Sequence, residues 1–86
     1  MNEHTKKILR RIRSSINLYE NGVINEKQLE LNLTGNIDAI EEKDIQNILE
    51  NFVNKIEESL YLFDEKEGKE FLLCKIKELK NKLLES

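Results

Sequence analysis

The sequence predicts an all-α fold, an antiparallel bundle of four helices forming one domain over residues 1–86. Three observations carry that prediction. No proline interrupts the chain, and Glu, Lys, Leu, Ile and Asn are abundant, a composition that favours helix. Apolar residues recur three and four positions apart in four successive blocks, the spacing of one helical face. Between the blocks stand residue types that end one helix and start the next: Asn21-Gly22, Asn25, Asp44 and Asp64.

The first helix is expected over residues 3–20. Ile8, Leu9, Ile12, Ile16 and Tyr19 share one face, and Lys6, Arg10, Arg13 and Asn17 lie opposite. Asn21-Gly22 ends it, because glycine takes the left-handed conformation of a helix C-terminus without steric cost. The second helix, over 26–41, starts at once. Asn25 is an N-cap with Gln28 in capping-box register, and Ile24 and Leu29 are placed as a hydrophobic staple. A link this short makes the two helices antiparallel neighbours. Leu29, Leu33, Ile37 and Ile40 give the second helix its buried stripe. Gly35 interrupts it at a cost of about 1 kcal/mol relative to alanine. Either another helix comes close there or the helix breaks at "TGN"; the unbroken apolar spacing favours continuity.

The third helix is expected over 45–63, capped by Asp44. Ile45, Ile48, Leu49, Phe52, Ile56, Leu60 and Phe63 make it the most strongly periodic segment and the centre of the core. Asp64 and Glu67 form a second capping-box pattern. The fourth helix, over 66–84, carries Leu72, Ile76, Leu79 and Leu83. With no proline near Gly68, one long helix across residues 45–84 is the alternative, and its exposed seam would require a homodimer. The four-helix monomer is the preferred reading.

No motif carries chemistry, so neither an enzyme nor a cofactor is expected. His4 is the sole histidine, and a dinuclear helical metal centre needs a Glu-x-x-His pattern on two helices. Cys74 lies opposite the apolar stripe of the fourth helix and has only Lys75 and Lys77 nearby to activate it. There is no glycine-rich phosphate loop and no Ser-His-Asp set. The longest apolar runs, such as "LYLF", span four residues, so neither a membrane-spanning helix nor a secretory segment is expected, and a cytoplasmic protein is.

Charge is segregated along the chain. Residues 1–20 carry five basic and two acidic side chains, residues 21–67 four basic and twelve acidic, and residues 68–86 five basic and three acidic. The acidic middle suits a basic protein partner. Glu26, Glu30, Asp38 and Glu41 on the second helix avoid its apolar positions, as do Glu50, Glu57 and Glu58 on the third. These seven are the candidate partner-binding residues. A nuclease is one such partner, being basic because it binds nucleic acid. The rival surface is the basic run "KKILRRIR", where Lys6, Arg10 and Arg13 would contact phosphates. It has no interleaved aromatic residue and no helix-turn-helix pair, so nucleic acid ranks behind a protein partner. The plainer reading of that run is a solvated face attracted to the acidic middle.

The stretch "LYENGVINEKQLELNLTGNIDAIEEKD" followed by "FVNKIEESLYLF" resembles small all-helical bacterial proteins of the immunity type, which neutralise the toxin domain of a bacteriocin or contact-dependent toxin. Its layout is similar to that of the colicin D immunity type, a compact helical bundle that occludes a tRNA-cleaving toxin. The resemblance covers roughly residues 16 to 63 and rests on apolar spacing and the Asn-Gly turn. It implies a helical inhibitor of a cognate toxin and assigns no individual residue a role. The basic first helix departs from a uniformly acidic inhibitor. The alternative function is a small helical regulator or self-assembling adaptor that touches nucleic acid through that helix.

Overall fold

The computed structural model describes residues 2–84, with the backbone alone at position 84. It holds four helices: α1 (Glu3–Glu20), α2 (Glu26–Ile37), α3 (Lys43–Tyr61) and α4 (Glu65–Leu79), the last continued by a π-helical turn, Lys80–Leu84. Among the described residues there is no strand. Consecutive helices pack on one another in chain order, α1 on α2, α2 on α3 and α3 on α4. The chain closes on itself where α4 meets the last turn of α1. Lys80 Nζ lies 2.9 Å from Glu20 Oε1, and the Lys69 ammonium sits 5.9 Å from the Tyr19 ring centre.

One hydrophobic core runs through all four helices. Ile8, Leu9, Ile12, Ile16 and Tyr19 of α1 meet Leu29, Leu33 and Ile37 of α2, Ile45, Leu49, Phe52 and Ile56 of α3, and Leu72, Ile76 and Leu79 of α4. Every apolar position expected on α1 and α4 is buried, including Leu83 in the π turn. Among the described residues three polar side chains are buried with them, and each has a partner. Thr5 Oγ1 donates to Glu42 Oε1 at 2.6 Å, Ser59 Oγ donates to the Ile56 carbonyl at 2.6 Å, and Ser15 Oγ accepts from Asn32 Nδ2 at 3.4 Å.

The turn between α1 and α2 forms as its residue types dictate. Gly22 takes φ +76°, its N–H donates to the Tyr19 carbonyl, and the Val23 N–H donates to the Leu18 carbonyl, so two carbonyls orphaned by the helix end are satisfied. Asn25 then caps α2, its side chain accepting from the Gln28 N–H at 2.9 Å. The Gln28 side chain does not reach back to complete a capping box; it donates to Asn32 Oδ1.

Three boundaries differ from expectation. First, α2 stops at Ile37, four residues before the expected 41. Thr34 Oγ1 donates to the Glu30 carbonyl and Asn36 Nδ2 to the Asn32 carbonyl, while Gly35 adds its entropic cost, so the last turn is weakened from within. The chain leaves through tight turns, Ala39 N–H to Asn36 O and Ile40 N–H to Ile37 O, and Ile40 is still buried. The apolar spacing at 33, 37 and 40 thus reported burial, not helix length. No other helix approaches Gly35, which is exposed and has open space where a Cβ would lie.

Second, α3 starts at Lys43, and its N-cap is Glu42, not Asp44. The Glu42 side chain makes no capping bond because it is engaged by Thr5 of α1; Asp44 lies inside the first turn, where its charge favours the helix dipole. Third, α3 ends at Tyr61, and Leu62 and Phe63 form the bend into α4. Phe63 is therefore 38% exposed instead of core, stacked on Phe71 with ring centres 4.9 Å apart. Asp64 caps α4, accepting from the Glu67 N–H at 2.8 Å. Helices α3 and α4 are separate, which removes the continuous-helix alternative and the obligate dimer it required.

Candidate partner-binding surface

The acidic residues of α2 and α3 are distributed by helix geometry over two faces. Successive residues of a helix point about 100° apart, so neighbours such as Glu57 and Glu58 cannot share one orientation. On the seam between α2 and α3, Asp38 and Glu50 both line a depression of about 340 Å³, together with Thr34, Ile37, Val53 and Asn54. The lining combines two carboxylates with the apolar Ile37 and Val53, and among the described residues no cationic side chain contributes to it. Glu41 is exposed in the link that follows α2.

Towards the other end of that seam the charges are partly spoken for. Lys27 Nζ lies 3.1 Å from Glu30 Oε1. The hydrogen bond and charge of Glu30 hold the Lys27 ammonium above its ordinary pKa, with smaller contributions from Tyr61 and Glu57. Glu30 pairs with Lys27 and Glu57 acts on it through charge alone, so this end carries a smaller excess of negative charge than the Asp38–Glu50 end. Glu26 points back to α1, where its Oε1 accepts from the Tyr19 hydroxyl at 2.8 Å. Burial, and then that bond to a carboxylate, push the Tyr19 phenol well above its usual pKa.

Glu58 points towards α4 instead of α2. It pairs with Lys55 at 3.3 Å and lines a groove of about 480 Å³ between α3 and α4, together with Lys75 and Lys82. That groove is of mixed sign. The structure therefore brings Asp38 and Glu50 together, pairs Glu30 with Lys27 near Glu57, assigns Glu26 to Tyr19, and turns Glu58 towards α4.

Lys6, Arg10 and Arg13 of the rival surface are all exposed along the outer stripe of α1. Lys6 lies 3.5 Å from Glu3 of its own helix, a pairing across one turn and not with the acidic middle of the chain. Cys74 is exposed. Among the described residues no group of three or more His, Cys, Asp or Glu is placed to hold a metal ion, and no helix is long and apolar enough to cross a membrane.

Sequence reasoning missed one surface feature. Tyr61, Leu62 and Phe63 are exposed at the α3–α4 bend, although Phe63 is expected on the buried stripe of α3 and "LYLF" is read only as a short apolar run. A signal for this lay in the run itself: four consecutive apolar residues cannot all face one side of a helix, and Asp64 directly after them is a helix start. Compared with known proteins, the chain matches no family model, no curated protein and no solved structure.

Proposed function

We propose that this chain is a non-enzymatic protein-binding module, a bacterial immunity protein that acts in the cytoplasm and neutralises a basic cognate toxin, a nuclease being the partner that best suits its charge. The observation that carries this reading is the Asp38–Glu50 depression: two carboxylates beside the apolar Ile37 and Val53, with no cation among the described residues that line it. Such a site accommodates an Arg or Lys side chain, whose aliphatic stem packs on the apolar residues while its head meets the acids. Glu41 and Glu57 extend the negative field along the seam and would steer a basic partner towards it.

Capture from the native cell lysate, with and without nuclease treatment, tests the reading. The expected result is a basic protein retained after nuclease treatment and lost from the double variant Asp38→Lys, Glu50→Lys. Recovery of RNA or DNA without a protein partner would refute it. That outcome would favour the second reading, a small helical regulator bound to nucleic acid through the exposed Lys6, Arg10 and Arg13 stripe of α1.

A further inference from the structure

The end of the bundle where α3 folds back into α4 carries an apolar surface that nothing in the fold covers. Tyr61 is 74% exposed and Leu62 72%, and Phe63 lies beside them. Single exposed apolar residues are ordinary on a protein surface, and Leu31 on α2 is one. Three in a row at a helix end are not, and here they adjoin a hollow. Phe63 and Leu60 line a depression of about 310 Å³ whose rim includes Glu26 and Glu65. The protruding Tyr61 and Leu62 and the adjoining hollow form a knob beside a socket.

The charge around this surface selects its occupant. Glu58 is paired with Lys55 and lines the α3–α4 groove, which leaves four carboxylates, Glu57, Asp64, Glu65 and Glu67, against one lysine, Lys66, over residues 57–67. Lys27, which lines the hollow, is already paired with Glu30. A second copy docking tip to tip would set the two acidic collars against each other, and a membrane rich in anionic lipid would be repelled in the same way. A basic protein is attracted. Apolar residues at the centre with charges at the rim is also the layout of a binding hot spot, in which the rim keeps water from the anchors.

We infer that the α3–α4 tip, centred on Tyr61, Leu62 and Phe63, is a docking site for a basic protein segment that presents an apolar side chain flanked by Lys or Arg. The inference rests on the reading of the chain as a protein-binding module and deepens it by placing the apolar anchor of the interface at this tip, beyond the end of the acidic seam.

The test uses random peptides displayed on phage, selected on the immobilised full chain, with the selected peptides then synthesised. Their binding is measured by fluorescence anisotropy and mapped by amide chemical shifts. The expected peptides combine Lys or Arg with Leu, Phe or Trp and shift the amides of residues 60–65. Leu62→Asp should weaken them by about tenfold or more, while Leu31→Asp leaves them unchanged. Both positions are exposed, so both variants should keep the wild-type melting temperature. Selected peptides without basic residues, or ones that bind Leu62→Asp as tightly as wild type, would overturn the inference. So would self-association of the free chain that Leu62→Asp abolishes, which would make a second copy the occupant. Basic peptides that map to Asp38 and Glu50 would overturn the tip alone and leave the reading of an acidic protein-binding module standing. Failure of that reading shows separately, in the nuclease-treated capture.

Discussion

Gly68 of α4 lies so close to Ser59 of α3 that a Cβ on the glycine would sit 2.5 Å from the Ser59 carbonyl oxygen. The missing side chain is what lets α4 fold back on the last turn of α3, directly after the bend at Leu62 and Phe63. Ser59 is buried there and turns its own hydroxyl onto the Ile56 carbonyl.

Two glycine substitutions should therefore have opposite signs. Gly68→Ala forces its new Cβ against the Ser59 backbone carbonyl and should destabilise the protein by about 1–3 kcal/mol, despite alanine's better helix propensity. Gly35→Ala meets open space in a helix and should stabilise it by about 0.5–1 kcal/mol. Urea denaturation of both variants checks this. Stabilisation by both would mean that α4 does not rest on α3 through Gly68.

These two glycines also show what the sequence made legible. Features set within a few residues were readable: the Gly22 turn, the Asn25 and Asp64 caps, and the apolar stripes of α1 and α4. Features set by distant partners were not. Glu42 displaced Asp44 as the N-cap position of α3, while its own side chain went to Thr5 on another helix. Phe63 matched the period of α3, yet the fold-back enabled by Gly68 ends that helix two residues earlier. Likewise, the acidic residues were legible as exposed positions. Their division between the α2–α3 seam and the α3–α4 groove depends on which helix packs on which side of α3, and periodicity does not encode that.

Acid should weaken the Thr5–Glu42 tie. The hydrogen bond from the Thr5 hydroxyl holds the Glu42 carboxyl below its ordinary value of 4.5. A carboxyl lowered in the folded state stabilises fully above the unfolded value and loses that contribution as pH falls through the folded one. Wild type should thus melt higher than Glu42→Gln near neutral pH, and the gap should close as pH drops below 4.5. Melting temperatures across that range test the tie, and a gap independent of pH would contradict it.

Alkali should act through Tyr19. Its phenol is raised by burial and by the bond to Glu26, so its contribution is present below the ordinary value of 10 and is lost as pH climbs above it. Tyr19→Phe should cost about 0.5–1.5 kcal/mol at neutral pH, because Glu26 loses its donor. The variant should then lose less stability than wild type on further alkalinisation. Parallel denaturation curves at neutral and strongly alkaline pH decide the point, and equal losses would argue against the Tyr19–Glu26 bond.

Adjacent glutamates should differ in binding. Glu57 adds to the field on the α2–α3 seam, whereas Glu58 is paired with Lys55 on the α3–α4 groove. Glu57→Lys should slow association with the captured basic partner more than Glu58→Lys does. Equal effects in surface plasmon resonance would place the partner over both faces of α3.

The most direct measurement of the central claim is the association rate with that partner, followed by stopped flow across a range of ionic strength. The wild-type rate should fall steeply as salt shortens the screening length to about 8 Å, the physiological value. At low salt, Asp38→Lys with Glu50→Lys should lower it by about tenfold or more, while Arg10→Glu with Arg13→Glu should not slow it. A rate indifferent to salt, or one abolished by the arginine changes and untouched by the acidic ones, would contradict binding through the acidic seam.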